Sequence, residues 1–169
     1  MKSLLLGCGN NREKRLYYES KPDWAGDLVT IDMNPDCGAD VVWNLEQRPL
    51  PFGDEEFDEL GAFDVLEHIG RQGDWKGFFE EFAEYWRILK PGGLFFIVVP
   101  IGPDYHADPG HTRFFGPTWF MFLSRDWYRI QLEEKRPVTD YRWFWKRDFK
   151  TLSLDTIGNH HLSAILRKQ

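Results

Sequence analysis

An α/β fold built on a parallel sheet follows from three features of the sequence. Strand-like and helix-like segments alternate through the first hundred residues, the pattern of a sheet with helices on its faces. One run, LFFIVV at 94–99, is apolar without interruption, as a strand buried on both faces must be. The first apolar run breaks at once into Gly7-Cys8-Gly9, a turn of the kind that follows the opening strand where such sheets bind ligands.

Taken in order, Ser3–Leu6 predicts the first, short strand. Asn10–Glu19 predicts a short helix after the glycine turn. Asp27–Met33 (DLVTIDM) and Asp40–Leu45 (DVVWNL) are β-branched runs bounded by Gly, Pro and Asp, and Phe57–Phe63 predicts a fourth strand. Asp74–Lys90 carries Trp75, Phe78, Phe79, Phe82, Tyr85, Trp86 and Leu89 at three- and four-residue intervals, which predicts an amphipathic helix. Asp74 suits its N-cap, Lys90 the negative end of its dipole, and Pro91-Gly92-Gly93 ends it and turns the chain into Leu94–Val99. Pro117–Ile130 predicts a last, aromatic-rich helix. Tyr141–Leu154 and Leu162–Arg167 predict two strands of an antiparallel hairpin turning near Gly158-Asn159. No repeat, low-complexity tract or linker interrupts residues 1–169, so one domain is expected.

Composition narrows the functional classes. The opening MKSLLLGC imitates a lipoprotein signal, but an export peptide needs roughly 7–15 apolar residues before its cleavage site, and nowhere does the chain offer the ~20 needed to span a membrane. A soluble, cytoplasmic protein is expected. Cys8 and Cys37 lie 29 positions apart without a CxxC partner, which suggests neither a zinc site nor a disulfide framework. The net charge of −6 is uneven: residues 1–123 hold 11 Lys/Arg against 21 Asp/Glu, residues 124–169 hold 10 against 6. Only the tail is basic enough to face an anion, so nucleic acid is a minority expectation.

The turn Gly7-Cys8-Gly9 lets the backbone approach a ligand closely. A third glycine of the dinucleotide pattern would fall at Arg12, and the lysine of a phosphate loop is missing, so neither a dinucleotide nor a triphosphate is favoured. Asp32 ends the second strand, 23 residues beyond Gly9. Its two oxygens can accept both hydroxyls of an adenosine ribose. Alone, it equally fits an acid capping the turn Asn34-Pro35-Asp36; with the glycine turn it favours a nucleoside ligand that lacks a pyrophosphate.

LLLGCGN, then VTIDMNP, then ADVVWNLEQRPLPFGDEEFDELGAFDVLEHI, then WRILKPGGLFFIVVP resemble the successive motifs of the class I S-adenosylmethionine-dependent methyltransferases, over about Leu4–Pro100. More narrowly, the chain is similar to small methyltransferases of bacteria and their phages that begin almost at the first strand. The resemblance implies a Rossmann-like, doubly wound sheet of seven strands in the order 3-2-1-4-5-7-6 with the last strand antiparallel, and S-adenosylmethionine as cofactor. It implies that Gly7, Cys8 and Gly9 pass the methionine and ribose portions, that Asp32 binds the ribose, and that Met33 lies beside the adenine. Asn44 stands where relatives often have an Asp that accepts from the adenine amino group, Leu45 would offer its backbone N–H, and Phe63 would lie against the methionine. Leu5 departs from the pattern, since many relatives carry an acid there.

Methyl transfer from a sulfonium needs alignment more than acid–base chemistry. His68 in Leu66-Glu67-His68 would face the site in the family's fold, or pack beneath the cofactor loop. The segment PIGPDYHADPGHTRFFGP after the fifth strand is long enough to need a function. It offers His111 as a base with Asp108 as its orienting carboxylate; alternatively Arg113 and Asp108 staple the loop. No metal-ligand spacing falls on one element, and no metal is expected. In YRWFWKRDFK, alternation would put Tyr141, Trp143 and Trp145 on one face of a strand, which either base stacking or an ordinary half-buried strand explains. The expected activity is methyl transfer to an oxygen or nitrogen of a small-molecule or sugar-like acceptor, with nucleic-acid methylation through the tail and a non-catalytic cofactor-binding module as alternatives.

Overall fold

The computed structural model describes residues 1–16 and 22–169. Its centre is a seven-stranded sheet of order β3-β2-β1-β4-β5-β7-β6, formed by β1 (Lys2–Leu6), β2 (Asp27–Asp32), β3 (Val41–Val42), β4 (Phe57–Phe63), β5 (Leu89–Pro100), β6 (Phe149–Ile157) and β7 (His161–Lys168). The first five strands pair in parallel, and β7 runs antiparallel to both β5 and β6. This is the Rossmann-like order and the antiparallel hairpin expected.

The helix α1 (Trp75–Ile88) forms as its periodicity predicts, with the Asp74 carboxylate accepting from the Gly77 N–H at 3.0 Å. Its Phe78, Phe79, Phe82 and Tyr85 are buried with Leu60, Phe95 and Ile97 of the sheet, each ring contributing about 1.5–3 kcal/mol of burial. The chain enters β5 already at Leu89, which pairs with Phe57 across a register shift, so Pro91-Gly92-Gly93 lies within that irregular strand end. Two shorter helices follow, α2 (Gly102–Tyr105) and α3 (Arg125–Glu133).

Four elements differ from the sequence expectation, each for an identifiable reason. Asn10–Leu16 is not helical; its polar side chains are spent on distant partners, Arg12 on the carbonyls of Gly9, Cys37 and Gly38, and Lys14 on buried Glu59 at 2.7 Å. The remainder of that expected helix, 17–19, lies outside the described residues. On this face Leu16 and Trp24 instead pack with Leu5, Cys8, Phe63 and Phe96. The third strand stops at Val42 because the Asn44 side chain accepts from the Glu46 N–H and its carbonyl from Gln47, turning the chain away. Pro117–Ile130 splits at Ser124, which closes a 3-10 turn (Trp119–Leu123) and caps α3 by accepting from Trp127. Tyr141–Lys146 is a turn rather than strand: the Tyr141 carbonyl accepts from both Phe144 and Trp145, and β6 begins only at Phe149. Trp145 is consequently buried with its Nε1–H donating to Leu123, whereas Trp143 is 65% exposed, so the alternating face does not exist.

Candidate active site

The glycine turn leaves β1 at the carboxyl end of the parallel strands. Gly7 and Cys8 donate to the Ile31 carbonyl, which docks the turn on the end of β2. Gly7 has φ +59°, and a Cβ there would fall 2.1 Å from Val65 Cγ2, so only glycine fits between the turn and the segment after β4. Gly9 has φ +48°, and a Cβ there would meet nothing within 4 Å: its outer side is open. Asp32 faces this turn. One carboxylate oxygen accepts from the Gly9 N–H at 2.8 Å and the other from the Asn34 N–H at 2.8 Å, so the same side chain caps the next turn and fixes the glycine turn. The Asp32 carbonyl accepts from Trp43, aligning Asn44 and Leu45 beside Asp32 and Met33. Met33 is 68% exposed at the rim, Leu45 is buried, and Asn44 is half-buried.

Arg12, which the sequence did not single out, ties the rim together by donating to Gly9, Cys37 and Gly38. Behind it the two cysteines meet: Cys8, Asp32 and Cys37 place one donor atom each within 4.8 Å of one another. Both cysteines are free, and burial pushes the Cys8 thiol up to about 11. Phe63 buries its ring against Leu5 and Trp24 in the core, and only its carbonyl, which accepts from Arg15, reaches the edge.

A second group of side chains lies two residues beyond Val65. The loop after β5 is pinned to the end of β4: Thr112 and Arg113 N–H donate to the Glu67 carbonyl, Thr112 Oγ1 donates to Gly70, and Phe114 N–H donates to Gln72. Arg113, wholly buried, donates to Glu81 at 2.7 Å and to the Leu66 carbonyl, and its guanidinium lies over Phe115. Arg113 is therefore the staple. Asp108 meets His111 through the backbone, its carbonyl accepting from the His111 N–H, while its carboxylate accepts from the Gly110 N–H at 2.6 Å, an exposed turn contact, and the His111 ring bonds the Tyr105 carbonyl. What the pinning brings together is Glu67, His68 and His111, with ring centroids of the two histidines 4.6 Å apart and His111 Nε2 3.7 Å from Glu67 Oε1. Glu67 is 1% exposed, and among the described residues neither of its carboxyl oxygens has a hydrogen-bond partner. Burial, with Asp64 and Asp108 nearby, pushes its carboxyl up to about 8. Sequence spacing could not reveal this trio, because Glu67 and His111 are joined only through the loop contacts.

Residues 4–97 match the sequence profile of the methyltransferase domain family. The chain belongs to that family. It is an S-adenosylmethionine-dependent enzyme of class I, a methyltransferase. No curated protein matches it in sequence. Its fold is similar to that of a SAM-dependent methyltransferase from Archaeoglobus fulgidus (TM-score 0.56, 15% identity, covering 99% of this chain and 86% of the other). A putative S-adenosylmethionine-dependent methyltransferase from Listeria monocytogenes gives the same score and identity, covering 99% and 91%. The 1,6-didemethyltoxoflavin-N1-methyltransferase of Burkholderia thailandensis aligns at TM-score 0.56 and 16% identity over 99% and 71%.

The residues of this methyltransferase fit its cofactor. The open side of Gly9 leaves room for the nucleoside, and each Asp32 oxygen, holding one N–H, keeps a lone pair for one of two vicinal ribose hydroxyls. Leu5 is buried in the core, so the first strand contributes no carboxylate to the cofactor. A cavity of about 320 Å³ opens elsewhere, between Gln72–Phe79 and Trp119, Phe122 and Tyr141. None of the glycine-turn residues lines it.

Proposed function

We propose that this methyltransferase moves the methyl group of S-adenosylmethionine to an oxygen or nitrogen of a small-molecule or sugar-like acceptor. The observation that carries the reading is the juxtaposition through Val65. The open glycine turn with Asp32 lies against that residue, Glu67 and His68 follow it by two and three positions, and His111 is held beside them by the bonds of Thr112 and Arg113 to the Glu67 carbonyl. Bound there, S-adenosylmethionine supplies a methyl carbon already activated by its sulfonium. The chain then has two tasks. Gly7, Cys8 and Gly9, with Asp32, Met33, Asn44, Leu45 and the end of β4 at Phe63, fix the donor; alignment of this kind is worth up to ~7–11 kcal/mol. His68 and His111 activate the acceptor with their open imidazole nitrogens, which add ~10²–10⁴-fold where a proton must leave. Asp108 shapes the acceptor loop through Gly110.

The Burkholderia neighbour, whose bound acceptor is a small heterocycle, supports this acceptor class. Methylation of nucleic acid through the basic tail has less support. Arg142 is held by Asp140 at 2.8 Å, Lys146 donates to the Arg142 carbonyl, and Arg147 covers Trp86. A cytoplasmic enzyme of one domain over residues 1–169 completes the reading: all seven strands share one sheet, and no described helix is long and apolar enough to cross a membrane. Transfer of labelled methyl to a panel of hydroxylated and amino small molecules, with RNA and DNA in parallel, tests it. Label on a small molecule alone supports the reading, and label on nucleic acid alone overturns it.

A further inference from the structure

The Glu67–His68–His111 group has the properties of a ligand set rather than of a simple ion pair. Glu67 and His111 are 3.7 Å apart, beyond hydrogen-bond range, and the Glu67 carboxyl oxygens make no hydrogen bond among the described residues despite complete burial. A buried carboxylate left in that state calls for an explanation. Both histidines are held the same way: His111 Nδ1 bonds the Tyr105 carbonyl at 2.6 Å and His68 Nδ1 bonds the Gly110 carbonyl at 3.2 Å. A carbonyl only accepts, so each Nδ1 carries a proton, and in the neutral ring it is Nε2 that offers a lone pair. A backbone carbonyl on the far nitrogen is the usual support of a metal-binding imidazole. One donor atom from each of the three residues lies within 4.8 Å of the others, and a bound cation at about 2.1 Å from each would space them at roughly 3–3.5 Å, a small tightening. Glu67 is buried, the His111 side chain is 8% exposed, and His68 is exposed, which leaves an entry path at the mouth.

We propose that Glu67, His68 and His111 form a binding site for one divalent transition-metal cation at the acceptor end of the active site. One carboxylate and two imidazoles suit zinc, manganese, iron, cobalt or nickel better than calcium or magnesium. The Cys8–Asp32–Cys37 group is no equal candidate: the Cys37 thiol donates to the Asn34 carbonyl, and the methyltransferase reading commits the free lone pairs of Asp32 to the ribose. Resting on the methyltransferase reading, the role of the cation follows. With both Nε2 lone pairs taken up by the cation, this role replaces direct proton abstraction by the histidines. The cation holds an acceptor hydroxyl and draws electron density from it, so the proton leaves to water. The oxygen lone pair then forms the bond to the methyl carbon while the carbon–sulfur pair returns to sulfur, giving the methyl ether and S-adenosylhomocysteine.

Chelator-treated protein titrated with Co²⁺, followed by visible absorption and calorimetry, tests the site without any turnover. The expected result is one Co²⁺ per chain with nitrogen and oxygen ligation and no thiolate charge-transfer band. Affinity should fall at least ten-fold in His111→Ala and in the exposed-residue variant His68→Ala, while thermal unfolding of His68→Ala is unchanged. Absence of stoichiometric binding, retention of affinity in both variants, or a thiolate band would overturn the site. A parallel titration with S-adenosylhomocysteine separates the two readings. Binding of the nucleoside without Co²⁺ binding sinks the cation alone, and Co²⁺ binding without the nucleoside sinks the methyltransferase reading and leaves the metal site.

Discussion

Gly7 and Gly9 share a left-handed backbone but differ in what surrounds them, so the same substitution separates structure from binding. Gly7→Ala drives a methyl into Val65 at a φ that alanine tolerates poorly. It should cost on the order of 3 kcal/mol, about 6–12 °C in Tm by thermal melting. Gly9→Ala carries only the conformational cost of about 1–2 kcal/mol, but fills the open side and should weaken cofactor binding well beyond its effect on Tm. Cys8 gives a pH test. Burial holds its thiol neutral to about 11, so at pH 8 the reactive thiolate is scarce. Alkylation followed by mass spectrometry should be far slower for Cys8 in the native protein than after denaturation. Equal rates would mean that the thiol is not buried under the turn.

At the scale of elements, the loop after β5 is anchored by one buried cation, Arg113, in addition to its bonds to Glu67, Gly70 and Gln72. Arg113→Ala leaves Glu81 buried with only Tyr85 and the more distant Arg48 as partners. Loss of such a partner is worth about 3–5 kcal/mol of stability, and chemical denaturation should show it. Elements with a strong period were legible in the sequence. The stripe of α1 and its Asp74 cap act within one segment, and β1, β2, β4 and the core of β5 were likewise read from local composition. Where side chains find partners far along the chain, local reading failed: Arg12 and Lys14 served tertiary contacts instead of a helix, and the aromatics of 141–145 served a turn. The candidate site divides the same way. Gly7, Gly9 and Asp32 follow strand ends and were visible, whereas the approach of Glu67 to His111 was not, because it depends on hydrogen bonds between residues 45 apart in sequence, and the Asp108 carboxylate expected beside His111 bonds Gly110 instead.

For the whole molecule, the sheet order brings the ends of β1, β2 and β4 to one edge, and the loop after β5 closes over it. The aromatic core on the α1 face makes that edge a rigid platform, while the opposite face rests on Leu16 and Trp24. In the tail Arg129, Arg136 and Arg142 pair with nearby carboxylates; catalysis on a small acceptor should vary little with salt, whereas polyanion binding would fall steeply. The central claim is that the glycine turn and Asp32 hold one adenosyl group. Calorimetric titration of S-adenosylhomocysteine into the wild-type protein and Asp32→Ala tests it most directly. One site per chain, weakened by about 1–3 kcal/mol in the variant, is the predicted result; equal affinity in both proteins, or no binding to the wild type, would contradict it.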